Sequence, residues 1–187
     1  LLDELGIEKV RLVGHDFGAV FCWQLVLKHP DRVDRYVALS VGHMSAYARA
    51  GLLQKLKGYY VLLLQLRGVS ELLLRCCNWL PFRLMTRFKP EFEHWRTQLR
   101  RPGRLTAALS YYRANLRHAF SRNLPPATVP VLGVWSSKDI ALAEDQMVNS
   151  ENYVQADWQY RRIEGASHWL QLDAPDEINA ILLDYLK

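Results

Sequence analysis

Between residues 9 and 30 the chain changes from one periodicity to another across a five-residue turn, and this change limits the folds open to it. Lys9-Val10-Arg11-Leu12-Val13 is short and rich in aliphatic and β-branched residues, which predicts a strand. From Gly18 to His29 the apolar residues Ala19, Val20, Cys22, Trp23, Val26 and Leu27 recur at three- and four-residue steps until Pro30, which predicts a helix. Gly14-His15-Asp16-Phe17-Gly18 joins them. Glycines two before and two after the central residue remove side chains expected to collide in so sharp a turn, leaving Asp16 exposed at the helix N-terminus. There the helix dipole favours an ionised carboxylate. A glycine-bounded turn with Asp16 as a capping residue fits the pentapeptide about as well, so other residues must decide.

The remaining pattern is α/β. Arg35 to Val41 reads as a second buried strand, parallel to the first, with the intervening helix as crossover. After Met44, and to about Thr128, helix formers dominate between breakers at Gly51, Gly68, Pro81, Pro90, Pro102 and Gly103, which predicts a helical insertion. Strands return at Val129–Trp135 and at Trp158–Ile163. A last helix opens at Pro175, with Asp176 and Glu177 in its first turn to oppose the dipole. The expected organisation is a core segment 1–44, a helical segment 45–128 and a core segment 129–187.

Half of the 187 residues are hydrophobic (50%) and 23% are charged, as in an ordinary globular unit. The net charge of +5 is an average. Residues 45–128 hold 15 Lys and Arg against Glu71, Glu91 and Glu93, while the rest of the chain is net acidic. No nucleic-acid-binding motif accompanies the basic residues, and no nucleic-acid partner is expected. The apolar run Gly58–Leu66 is far short of the ~20 residues needed to cross a bilayer, so no transmembrane segment is expected. Cys22, Cys76 and Cys77 make no even disulfide framework and no metal-ligand spacing, which points to reduced thiols, a cytoplasmic location and no metal or cofactor.

Two further residues stand where Asp16 stands, just beyond a strand. Asp139 follows the third strand in Trp135-Ser136-Ser137-Lys138-Asp139, and His168 follows the fourth in Gly165-Ala166-Ser167-His168-Trp169. The carboxyl ends of parallel strands are where open α/β sheets place ligands. Nucleophile, acid, histidine is also the chain order of an α/β-hydrolase triad. Singly, Asp139 reads as a turn former and His168 as a loop histidine; together they favour a catalytic group. His43, just past the second strand, stands where it can line the site mouth but reads more readily as a plain loop histidine, and Cys22 reads as a packing residue.

On these motifs the chain resembles the C-terminal two thirds of an α/β-hydrolase of the epoxide hydrolase and haloalkane dehalogenase group, in which the nucleophile is aspartate. The resemblance implies a mostly parallel sheet with a helical cap inserted between core strands, Asp16 as nucleophile, Asp139 as acid and His168 as base. It implies that Phe17 contributes its backbone N–H to the oxyanion hole. Dehalogenases of the group commonly carry a tryptophan after the nucleophile, whereas Phe17 has no donor. Epoxide hydrolases use two cap tyrosines, matched by Tyr112 in Ser110-Tyr111-Tyr112-Arg113-Ala114-Asn115 and by Tyr60, with Tyr59 as alternate. The expected activity is opening of a small apolar epoxide by water to a vicinal diol through an ester on Asp16. Alternatives are a dehalogenase using the same triad, with Trp79, Trp95 or His94 holding halide, and a non-catalytic binding protein on the fold. The group's second oxyanion donor comes from a His-Gly loop after an earlier strand, and no such motif occurs here. The N-terminal strands are therefore expected to be missing from these 187 residues, which alone are expected to be inactive and poorly soluble.

Overall fold

The computed structural model describes residues 1–87, 90–116 and 122–187. Within it the four expected strands form, each longer or shifted at its carboxyl end. They are β1 (Val10–His15), β2 (Val33–Leu39), β3 (Val131–Lys138) and β4 (Trp158–Ser167). They lie in the order β1-β2-β3-β4, and every neighbouring pair is parallel. The sequence pattern stops β1 at Val13 because glycine is a poor strand former. Pairing of Gly14 with Ala38 and of His15 with Leu39 carries the strand on to the residue before Asp16. β3 starts two residues late because Pro130 has no N–H for the ladder; its carbonyl still accepts from Tyr36 N at 3.0 Å.

A parallel sheet must be covered on both faces, and the alternation of side chains along β2 and β3 supplies two separate cores. Tyr36, Ala38, Val131 and Trp135 pack on one side with Trp23 and Val26 of α1 (Phe17–Lys28) and with Met147 of α8 (Glu144–Val148). Val37, Leu39, Leu132 and Val134 pack on the other with Leu170 of α9 (Leu170–Asp173) and Ile178 of α10 (Pro175–Tyr185). β1 is an edge strand, and its Val13 is 42% exposed.

The insertion is helical as expected: α2 (Met44–Arg49), α3 (Leu52–Lys57), α4 (Tyr60–Leu63), α5 (Val69–Thr86), α6 (Phe92–Arg100) and α7 (Arg104–Asn115). Two compact units result, one made of Leu1–Lys57 with His118–Lys187 and the other of Gly58–Arg117. The second has its own core of Leu64, Leu74, Trp79, Phe82, Phe92, Leu105 and Leu109, against which Tyr60 and Tyr112 pack. α5 is two helical pieces joined at a kink over Cys76–Trp79, just before Pro81. Arg113 ties the unit together, with a two-pronged contact to Glu71 at 2.8 and 3.0 Å and a bond from Nε to the Leu64 carbonyl at 3.0 Å. Among the described residues no helix is long and apolar enough to cross a membrane.

Candidate active site

β1 runs into α1 with a single residue between them. That residue, Asp16, has φ 49° and ψ −121°, a backbone conformation costly for any side chain larger than glycine's. A Cβ on Gly14 would lie 2.7 Å from the Gly18 carbonyl oxygen and 2.8 Å from Ala19 Cα, so the turn closes only with glycine there. Gly18 differs from expectation: a Cβ at that position meets nothing within 4 Å, so it is not required to relieve a collision. The asymmetry is physical, because residue 18 lies on the outer side of the first helical turn while residue 14 faces it. Asp16 makes no side-chain capping bond to α1, and its carboxylate is 37% exposed. The capping reading of this residue therefore fails.

Asp139 and His168 follow β3 and β4 directly, and the sheet brings all three residues to one edge. His168 Nδ1 lies 2.9 Å from Asp139 Oδ2, and His168 Nε2 lies 3.6 Å from Asp16 Oδ1. The other oxygen of Asp139 accepts from the backbone N–H groups of Ala141 at 2.8 Å and Leu142 at 2.9 Å. Lys57 Nζ donates to the Asp139 carbonyl and, at 3.0 Å, to that of Leu142, which steadies the same loop. The acid is fully buried and the histidine nearly so. A carboxylate beside an imidazole oriented by a second, buried carboxylate is an arrangement suited to nucleophilic attack followed by base-assisted hydrolysis.

A family model described as alpha/beta hydrolase fold matches residues 1–175. The chain belongs to this family. It is closely related to proteins named as epoxide hydrolases. Epoxide hydrolase 3 of Xenopus tropicalis is 32% identical over 203 residues, an alignment covering 100% of this chain and 55% of that protein. Epoxide hydrolase 4 of Homo sapiens is 24% identical, with 100% and 56% covered. The chain thus spans just over half the length of these curated relatives. Among solved structures, a Bacillus megaterium epoxide hydrolase in complex with an inhibitor superposes with a TM-score of 0.82 at 20% identity, covering 99% of this chain and 72% of that one. An epoxide hydrolase from Vigna radiata gives 0.79 at 21%, with 99% and 71% covered. At these identities the two structures speak for the fold.

The electrostatics of this α/β-hydrolase site follow from its burial. Burial disfavours a charge on His168, but the hydrogen bond and charge of Asp139, with the charge of Asp16, outweigh it and raise the imidazole pKa. Burial likewise works against the Asp139 carboxylate, and the bond and charge of His168 with the two amides hold its pKa below the ordinary value. The pair is mutually stabilised in its charged form.

In the helical unit Tyr60 and Tyr112 are half-buried with ring centroids 6.1 Å apart, while Tyr59 is 63% exposed. Gln65 Nε2 donates to Val61 and Tyr112 carbonyls at 2.9 and 3.4 Å, linking the tyrosine-bearing segments. His43 is fully buried: Nδ1 accepts from Ser45 N at 3.1 Å, Nε2 donates to the Pro125 carbonyl at 3.1 Å, and the ring stacks on Tyr153. It lies in the loop before α2, as expected, and there its ring also caps that helix. Cys22 packs beside the first core as expected.

The sequence pattern passes over His15, whose ring centroid lies 4.8 Å from that of His168 and whose Nε2 lies 2.9 Å from the His168 carbonyl oxygen. Its position at the end of β1, next to Asp16, was the available signal.

Proposed function

We propose that the protein hydrolyses an epoxide to a vicinal diol through an ester formed on Asp16. Asp16 attacks a ring carbon opposite the C–O bond; the bond breaks toward oxygen, which takes a proton from Tyr60 or Tyr112. Carboxylate chemistry suits a saturated carbon, because the nucleophile needs no prior deprotonation. His168, oriented by Asp139, then removes a proton from water that attacks the ester carbonyl, and the backbone N–H of Phe17 is one donor to the resulting oxyanion. Collapse expels the second diol oxygen, which takes the proton held by His168, and the proton left on the Asp16 carboxyl returns to the tyrosinate, so that carboxylate, imidazole and phenol are all restored.

The observation that carries this reading is the chain of contacts from Asp16 through His168 to Asp139, at 3.6 and 2.9 Å. The half-buried tyrosine pair supports epoxide over halide chemistry, as does Phe17, which offers no side-chain donor to a leaving halide. We take the core to be residues 1–44 and 129–187, the cap to be 45–128, and the substrate to be small and apolar. Among the described residues β1 pairs only with β2, which supports further strands and the second oxyanion donor being supplied from outside these 187 residues. The three free cysteines favour a reducing, cytoplasmic setting.

The test is to trap the ester. His168→Gln in the intact protein, mixed with styrene oxide, is expected to gain the mass of one whole epoxide on the peptide containing Asp16. Release of halide from matched haloalkanes without diol from epoxides would favour the dehalogenase.

A further inference from the structure

His15 adjoins the nucleophile, yet the mechanism above gives it nothing to do. Its Nε2 lies 2.9 Å from the carbonyl oxygen of His168, and its Nδ1 lies 3.3 Å from Nε2 of Gln171. A carbonyl only accepts and an amide nitrogen only donates. One tautomer therefore satisfies both contacts: Nε2–H donates to His168 while Nδ1 accepts from Gln171. A protonated ring would lose the second contact. Burial and the neighbouring His168 ring lower the His15 pKa, which keeps the accepting nitrogen available.

His15 closes β1, and Gln171 belongs to α9, so this pair of bonds joins the elbow to the segment that carries His168. The preceding residue is held from other sides: Ser136 Oγ donates to the Ser167 carbonyl at 2.7 Å, and Ser167 N donates to Asp173 at 2.7 Å. Asp139 sets the side chain of His168, whereas His15 holds its main chain. The distance that matters, His168 Nε2 to Asp16 Oδ1, is already 3.6 Å, so a small drift of the loop would carry the base away from the ester.

We propose that His15 is a positioning residue for the hydrolytic half of the reaction, fixing the main chain of His168 against the elbow through its Nε2–H. The inference rests on the proposed role of His168 as base. Ester formation uses Asp16 and the tyrosines and does not require His168, so the two half-reactions separate the positioning role from a general structural one.

Single-turnover quench kinetics on the intact protein with styrene oxide would follow ester formation and ester decay separately, at a temperature where circular dichroism shows each variant folded. His15→Phe keeps a ring but loses both bonds; it is expected to slow decay at least 10-fold, part of the ~10²–10⁴-fold supplied by a positioned base. Formation is expected to stay within about 2-fold of wild type, the pattern for a residue acting on one step alone. His15→Gln, which keeps an N–H for the carbonyl, is expected to recover part of the decay rate. Gln171→Leu leaves the ring in place but frees its tautomer, and is expected to slow decay by a smaller factor; it carries the test should His15→Phe not fold. Wild-type decay in Gln171→Leu and His15→Phe, or equal losses in both steps without recovery in His15→Gln, would overturn the proposal. Absence of any ester in the wild-type protein would instead overturn the proposed function, and the inference with it, before a substitution is made.

Discussion

His168 Nδ1 donates to Asp139 Oδ2 at 2.9 Å, while the second oxygen of Asp139 is occupied by the amides of Ala141 and Leu142. With both oxygens engaged and the side chain fully buried, the carboxylate has no alternative orientation, and it assigns the Nδ1–H tautomer to His168. Nε2 is then the basic nitrogen, and it is the one nearer Asp16. The division of labour between two aspartates thus comes from their surroundings: one exposed enough to meet a substrate, one enclosed and fully hydrogen-bonded.

Replacing either aspartate by asparagine should therefore fail in different ways. Asp16→Asn is expected to form no ester and to retain its fold, since the side chain makes no bond to α1. Asp139→Asn is expected to form ester but to hydrolyse it about 10²–10⁴-fold more slowly, because the amide no longer holds the correct tautomer. Intact-protein mass spectrometry during turnover distinguishes the two: no adduct in the first, an accumulating adduct in the second.

The pH dependence should differ between resting protein and intermediate. Asp16 is one of the charges that raise the His168 pKa, and ester formation abolishes that charge. The imidazole of the intermediate therefore holds its proton less tightly than that of the resting protein. His168 acts as a base only when neutral, so ester decay should fall as pH drops, with its acid limb at lower pH than the NMR titration of resting His168. An acid limb at or above the resting titration would contradict this.

The cap tyrosines offer a graded test. Tyr60→Phe and Tyr112→Phe are each expected to slow ester formation by about 10²-fold, the usual cost of one lost donor to a developing oxyanion, with ester decay unchanged. Tyr59→Phe should behave as wild type, since that ring is largely exposed while Tyr60 packs in the unit's core. Stopped-flow measurement of the formation step for the three variants checks both statements.

His43 predicts a stability effect far from the chemistry. Burial pushes its pKa down to about 4, against a partly opposing bond to the Pro125 carbonyl. The unfolded chain binds the proton near pH 6.5 and the folded one does not, so stability is intact above that range and falls as pH drops toward 4. The loss is on the order of 3 kcal/mol over the whole interval. Urea unfolding at pH 7 and pH 5 should show this loss beginning, and His43→Gln should be less stable at pH 7 but flatter with pH.

The three strand ends carrying Asp16, Asp139 and His168 were legible because each follows a short run with a strand pattern, aliphatic and β-branched in the first two and alternating around aromatics in the last, with the polar residue a few positions past it. Chain order then made a joint reading stronger than any single motif. What was not legible has local causes. Gly14 and Gly18 look alike in sequence, and only the packing of Ala19 under residue 14 makes the first obligatory. The capping role considered for Asp16 passes instead to no side chain at all, while His43, read as a loop histidine, caps α2 through its ring nitrogen. His15 was hidden because its partners, the His168 carbonyl and Gln171, lie more than 150 residues away. The choice between Tyr59 and Tyr60 turns on which ring the helical unit buries, and adjacent residues of like type carry no signal for that.

In the proposed reaction water attacks the ester carbonyl of Asp16 and not the epoxide. A single turnover of the intact protein in H₂¹⁸O, with enzyme in excess over styrene oxide, tests it most directly. An unlabelled diol and one ¹⁸O in the peptide bearing Asp16 are expected, since the diol's new oxygen comes from the carboxylate. Label in the diol at the first turnover, with none in Asp16, would contradict it.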